Sequence, residues 1–214
     1  MTSTENIDVA MAERAVAAPA TAAAPAADPG ILGLPIFAAG SVALGLALVG
    51  YVPAGAVGSV LPIVFAGTGL GLLIATVWSA SLGQTMVAGV FGLFAGFWLS
   101  YAALVLGLNH NWYAIPAPNV ERSIALFLIT WGVVMFALTV ASVRLPLAYT
   151  LVFGLVVVAL VLLIFGTLNA DATLNKAAGY VVLAFGALGI YLFLNSASVQ
   201  TGGRPYPLGP PLVK

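Results

Sequence analysis

The sequence predicts an all-α integral membrane protein, a bundle of six transmembrane helices. Of its 214 residues, 62% are hydrophobic and only 6% are charged, whereas soluble domains carry about 25% charged residues. Uncharged apolar runs long enough to cross a hydrocarbon core of about 30 Å recur along the chain. They lie at 34–52, 57–78, 87–108, 123–143, 147–168 and 177–194, and all six acidic and six basic residues fall outside them.

The two ends differ in composition from the hydrophobic middle. Residues 1–27 are polar and then rich in Ala and Pro, without the basic and apolar regions of a secretory signal, which predicts a disordered tail. Residues 198–214 are rich in Pro and Gly and are predicted to form a second tail. The six-helix transmembrane domain is therefore assigned to residues 28–197.

An even number of spans places both termini on one face of the membrane. Arg144 and Arg204 lie on that face, and Arg122 and Lys176 lie on the other. Positive-inside counting, together with the two tails, favours cytoplasmic termini by a small margin. The Ala, Gly, Val and Leu bias points to a bacterium, so we expect a multi-pass protein of the cytoplasmic (inner) membrane.

The chemistry available inside the spans excludes several classes of function. No span contains Asp, Glu, Lys, Arg or His, which excludes a retinal-lysine pump, a voltage sensor and a haem protein with two histidine ligands. No catalytic arrangement surrounds the single His110, and there is no cysteine for a thiolate metal site. We predict no enzyme activity, cofactor or metal, and a net charge of zero gives no basic surface for nucleic acid.

The start of the first span, DPGILGLP, is unusually rich in proline and glycine. Proline early in a helix loses no hydrogen bond, and glycine lets a solute approach backbone N–H groups. A helix start slightly unwound at its glycines would then bind an anion. Tight packing of the first helix is the alternative. The residues of this motif are Asp28, Pro29, Gly30, Leu32, Gly33 and Leu34.

Few polar side chains are available for a solute pathway. Ser41 follows the first-span motif, and Thr68 lies in a glycine-rich part of the second span. Hydroxyls in such helices usually bond their own backbone, so these two are candidates rather than assignments. Gln84 and Thr85 are expected to cap the third span and to line a vestibule.

The motif and several later segments resemble the acetate uptake transporter family, which includes the succinate–acetate permeases. That family begins its first helix with Asn-Pro-Ala-Pro-Leu-Gly-Leu, which this chain matches at Pro29, Leu32, Gly33 and Leu34. Collinear matches follow at VGYV (49–52), FAGTG (65–69), GQT (83–85), GFWL (96–99), TWGVVMF (130–136), AGY (178–180), GIYL (189–192) and GGRPYPLG (202–209).

The resemblance implies a transporter or channel for acetate and related small monocarboxylates, with a pore in each protomer of a homohexamer. It also implies a hydrophobic constriction at Phe37, Phe94 and Val156, and symport with protons. The family's glutamine in span two corresponds to Gly71, and acidic residues of spans two and six correspond to Trp78 and Ser196. These departures weaken the expectation of proton coupling and of tight anion selectivity.

Three functions therefore stay open at the level of sequence. The first is a channel-like transporter of acetate. The second is a pore for small neutral solutes, which the absence of charge inside the spans permits. The third is a structural membrane bundle that transports nothing.

Overall fold

The computed structural model describes residues 26–213, and within this range the chain forms helices and no strands. Six helices in this part of the chain are long and apolar enough to cross a membrane, which confirms the predicted fold. We number the α-helices of the six spans α1 to α6 in chain order. In the second span only the last part is α-helical, and α2 denotes that part. Their bounds are α1 Gly30–Val49, α2 Leu70–Ser81, α3 Thr85–Asn109, α4 Val120–Ala141, α5 Leu147–Leu168 and α6 Ala172–Gln200. The predicted disordered tail lies outside the described residues, apart from Ala26 and Ala27.

The second span is not one regular helix. It begins with a 3₁₀ segment, Ala54–Val60, continues as a π-helical segment, Ile63–Gly69, and ends as α2. Pro62 immediately precedes the π segment and has no N–H to continue a regular helical ladder. The whole span runs from Gly55 to Ser81, beyond the predicted limits of 57 and 78.

The first and last helices are longer than their apolar runs. α1 begins at Gly30 rather than at residue 34, and α6 begins at Ala172 rather than at residue 177. The Asp171 carboxylate accepts hydrogen bonds from the N–H groups of Thr173 and Leu174, so it caps α6. α6 also continues to Gln200, because polar residues end the apolar run without ending the helix.

α1 and α6 form the most extensive helix pair, and glycines bring them together. A methyl group at Gly45 would meet the Gly179 carbonyl at 3.2 Å, and one at Gly186 would meet Ser41 Cβ at 3.2 Å. The helices run antiparallel, since positions near the end of α1 face the start of α6. Around the bundle, α6 also packs on α5, α5 on α4, and α2 on α3.

The segment after α6 folds back onto the start of α5. The N–H of Ala148 donates to the Leu208 carbonyl at 2.9 Å, and that of Leu147 donates to the Gly209 carbonyl at 3.4 Å. The N–H of Tyr206 donates to Asn195 Oδ1 at 2.7 Å. Carbonyls of the C-terminal segment thus satisfy first-turn donors of α5 that have no partner within the helix.

Both ends of the described chain meet on one face of the bundle. The Gln200 side-chain amide donates to the Ala26 carbonyl at 2.7 Å, and the Gln84 amide donates to the Ala27 carbonyl at 3.1 Å. α1, α3 and α5 begin on this face, and α2, α4 and α6 end there. We call it the entrance face.

Candidate functional site

A cavity of about 280 Å³ lies inside the bundle at the entrance face. Its outer part is formed by residues near helix ends, such as Asp28 and Met86, and its inner part by residues such as Phe37 and Phe94. At 1.5 Å per residue, Phe37 lies about 10 Å beyond the start of α1. We call this space the entrance cavity. It is lined by Asp28, Gly30, Leu34, Phe37, Leu72, Met86, Val87, Val90, Phe91, Phe94, Leu145, Tyr149, Val152, Phe153, Gly189, Leu192 and Ser196.

Aromatic rings pack across the bundle at the inner limit of the cavity. The Phe37 and Phe94 ring centroids are 4.8 Å apart with the planes at 65°, an edge-to-face contact. Phe94 stacks on Phe153 with centroids 6.1 Å apart, and Phe37 stacks on Phe185 at 5.7 Å. We call these four residues the phenylalanine layer. α1, α3, α5 and α6 each contribute one ring, and all four rings are buried.

Small residues make room for these rings. A methyl group at Gly189 would lie 3.1 Å from Phe37 Cδ1, and one at Gly33 would overlap the Phe91 ring. Gly33, a motif residue, therefore serves packing of α1 against α3. The helix is continuous from Gly30 onward, so the expected unwinding at Gly30 and Gly33 is not found.

The structure brings together two of the three predicted constriction residues. Phe37 and Phe94 are in direct ring contact. Val156 is buried on α5, one turn further along the helix than Phe153, and it is not among the residues that line the cavity. Phe153 holds the corresponding place on α5 in the cavity wall.

The outer part of the cavity carries three polar side chains: Asp28, Tyr149 and Ser196. A methyl group at Gly30 would lie 2.8 Å from Asp28 Oδ1 and 3.3 Å from Ser196 Oγ, so these two oxygens flank the first residue of α1. Ser196 is 6% exposed. The rest of the wall is apolar, and no Lys or Arg is among its described residues.

The start of α1 has no unpaired donor for an anion. The Gly30 N–H donates to Asp28 Oδ1 at 2.8 Å. The Ile31 N–H donates to the Asp28 carbonyl, and those of Leu32 and Gly33 donate to the Pro29 carbonyl, all at 3.0–3.1 Å. The expected anion site on this helix start is therefore corrected, because the chain itself supplies every acceptor. The remaining motif residue, Leu34, is buried and lines the cavity.

The two hydroxyl candidates lie outside the cavity wall. Ser41 Oγ donates to the Phe37 carbonyl at 2.7 Å, within its own helix. Thr68 Oγ1 donates to the Ile36 carbonyl at 3.2 Å, and its side chain packs against Gly40. Both residues are fully buried, and both hydroxyl protons are used in helix contacts. Their place on a solute pathway stays a prediction.

Gln84 and Thr85 also lie outside the cavity wall. Gln84 is the N-cap residue of α3, as predicted, but its side chain makes no cap hydrogen bond. The side chain instead binds the Ala27 carbonyl. Thr85 is exposed, and its hydroxyl is 3.5 Å from the Gly83 carbonyl.

Several wall residues were not singled out from the sequence. Phe91 lies one turn before Phe94, and Tyr149 lies one turn before Phe153. Aromatic residues three or four apart share a helix face, and this spacing was the available signal. Within residues 26–213 no three His, Cys, Asp or Glu side chains come close enough to hold a metal ion.

The fold and the cavity together define a class: a multi-pass membrane protein with an internal cavity that ends on a buried aromatic layer. Within this class, residues 13–204 match the model of the GPR1/FUN34/yaaH family, and the chain belongs to that family. This confirms the resemblance noted in the sequence, because the same family contains acetate transport proteins.

Known proteins of the family resemble the chain over different lengths. It is 28% identical to acetate transporter protein patA of Aspergillus clavatus, over 97% of this chain and 86% of that protein. It is also 28% identical to accumulation of dyads protein 2 of Saccharomyces cerevisiae, over 65% of this chain, and spans only 52% of the yeast protein.

A solved structure has the same fold. The bacterial acetate channel SatP superposes with a TM-score of 0.76 and 27% identity, covering 86% of this chain and 99% of SatP. The patA protein is named as a transporter and SatP as a channel, in agreement with the prediction that this protein is not an enzyme.

Proposed function

We propose that the protein passes acetate and related small monocarboxylates across the membrane through a pore within each protomer. The observation that carries the proposal is the entrance cavity, which leads inward from one face and ends on the phenylalanine layer. Similarity to an acetate transporter and to an acetate channel supports the choice of substrate.

The phenylalanine layer would act as the selective barrier. Its four buried rings offer no hydrogen-bond partner, so an ion that crosses them loses its water without compensation. That loss is several kcal/mol for an unpaired carboxylate and much less for a neutral acid. Flux should therefore depend on the bulk of the rings and on solute size.

Initial-rate uptake into liposomes containing only this protein tests the proposal. We expect labelled acetate to enter faster than into protein-free liposomes, and propionate to compete. The control solutes are small and neutral, such as glycerol. Equal competition by glycerol would favour a general pore for neutral solutes, and no uptake at all would favour a structural bundle.

Assembly and cellular location complete the proposal. We infer a homohexameric ring in the bacterial inner membrane, with one pore in each protomer, on the strength of the family resemblance. Many large apolar side chains remain exposed on the outer faces of the protomer, for example Ile74, Val133 and Phe136. Such faces require lipid or neighbouring protomers as their surroundings. The mass of the detergent-purified protein would test the hexamer.

Single cysteines test the orientation of the chain, because the protein has none of its own. Cysteines at Ser3 and Val213 should react with an impermeant thiol reagent only from the cytoplasmic side. A cysteine at His110, in the exposed link between α3 and α4, should react only from outside. Labelling of Ser3 and Val213 from opposite sides would contradict the six-span topology.

A further inference from the structure

The outer part of the entrance cavity has more hydrogen-bond acceptors than free hydrogen-bond donors. Asp28 is half-buried there and is the one charged side chain among the described wall residues. A second carboxylate brought beside it meets like-charge repulsion in a partly desolvated space. The geometry is therefore unfavourable for an acetate anion.

Helix N-termini at the entrance face do not compensate for this charge. The first N–H groups of α1 are bound by Asp28 and by the preceding carbonyls, and those of Leu147 and Ala148 in α5 by the C-terminal segment. At the start of α3 the N-cap residue, Gln84, makes no side-chain cap hydrogen bond. The positive end of this helix amounts to about half an elementary charge, against a whole charge on Asp28.

Two hydroxyl groups complete a site for a ligand that both donates and accepts hydrogen bonds. Ser196 Oγ and Asp28 Oδ1 lie 3.3 Å and 2.8 Å from the same point, the position that a methyl group on Gly30 would occupy. Ser196 makes no hydrogen bond to a residue within 26–213, although it is more than nine-tenths buried and lines the cavity. Tyr149 reaches the same cavity from α5. An undissociated carboxylic acid would match this set: its O–H can donate to Asp28 while its carbonyl accepts from a hydroxyl.

We propose that Asp28 makes the entrance cavity select the undissociated acid and reject the carboxylate anion, with Ser196 binding the acid's carbonyl oxygen. This inference rests on the proposed function, since it names the form of acetate that enters the pore. Transport would then be electrically neutral, and one proton would cross with each molecule as part of the acid itself.

Few other titratable groups face Asp28. Tyr149 approaches from α5, and Ser196 on α6 does not titrate in the relevant range. Arg144 and Arg204 belong to the same face, but both are exposed and neither lines the cavity. The pH dependence of uptake should therefore follow the acid's own ionisation, with the undissociated fraction falling about tenfold per pH unit well above its pKa.

The decisive measurement is acetate current across a bilayer or across liposomes with an imposed potential. The wild-type protein should take up acetate with little current, at rates proportional to the undissociated acid. Asp28→Asn keeps an oxygen that can cap Gly30 but removes the charge, and it should acquire an acetate current at neutral pH at least several-fold above wild type. Asp28→Ser, which can also cap the helix, should behave in the same way if the asparagine variant folds poorly. Ser196→Ala should slow uptake without creating current.

Asp171→Asn is the matched control. Asp171 also caps a helix through its carboxylate, but at the opposite face and outside the cavity wall. Its replacement should leave the current at the wild-type level. An acetate current in the wild type as large as in Asp28→Asn would overturn the inference while leaving acetate transport intact. Absence of protein-dependent uptake in every variant would instead overturn the proposed function.

Discussion

Replacement of Phe94 by alanine is expected to raise acetate flux about tenfold and to admit larger acids such as succinate. Phe94 contacts Phe37 and Phe153, so its removal opens the centre of the phenylalanine layer. A tenfold increase corresponds to a barrier lower by about 1.4 kcal/mol, a modest part of what desolvation contributes. The measurement is initial-rate uptake of labelled acetate and succinate at several pH values.

Two further variants of the layer show whether bulk is the controlling property. Phe37→Ala should weaken size discrimination in the same way as Phe94→Ala, because the two rings touch. Phe94→Tyr keeps the ring and should change the rate only modestly.

The control for the layer is Phe165→Ala on α5. Phe165 is 54% exposed on the outer surface of the protomer. Its replacement therefore removes the same kind of ring without opening the cavity. If alanine at both Phe37 and Phe94 left the rates and the acetate-to-succinate ratio unchanged, the layer would not be the selective step.

Replacement of Gly179 should have the largest effect on folding. A methyl group there would lie 2.8 Å from Leu48 Cβ and 3.0 Å from the Val49 backbone nitrogen. The backbone of α1 cannot move aside as a flexible side chain would, so α1 and α6 must separate. We expect Gly179→Ala to lower stability by about 1–3 kcal/mol, a typical overpacking effect, and Gly179→Leu to abolish most folded protein.

Gly89→Ala is the matched control for this contact. Gly89 is an exposed helical glycine on α3 with no neighbouring atom within 4 Å of an added methyl group. Alanine there should be neutral or slightly stabilising, because it favours the helix by up to about 1 kcal/mol. Thermal aggregation and the yield of detergent-purified protein would measure both. Equal thermostability of Gly179→Ala and Gly89→Ala would show that α1 and α6 are not closely packed at this point.

The six spans were predictable because hydrophobic length is a local property of the chain. Span ends were less predictable: Asp171 lies inside the link expected between residues 168 and 177, yet its carboxylate caps α6. The same distinction applies to the motif of α1. Its prolines and glycines were visible in the sequence, but the partners of its N–H groups depend on the side-chain position of Asp28.

The sequence by itself determined that this is a six-helix membrane protein whose apolar runs carry no charged residue, and its resemblance to the acetate uptake transporter family indicated Phe37 and Phe94 as pore candidates. Only the tertiary structure decided that Phe153 lines the cavity where Val156 had been expected, and that Ser41 and Thr68 turn their hydroxyls to backbone carbonyls. The physical reason is that apolar length and helix periodicity are properties of a single segment and can be predicted from that segment's sequence. The wall of a cavity depends instead on the rotation and spacing of five helices, which glycine contacts such as Gly45 with Gly179 set.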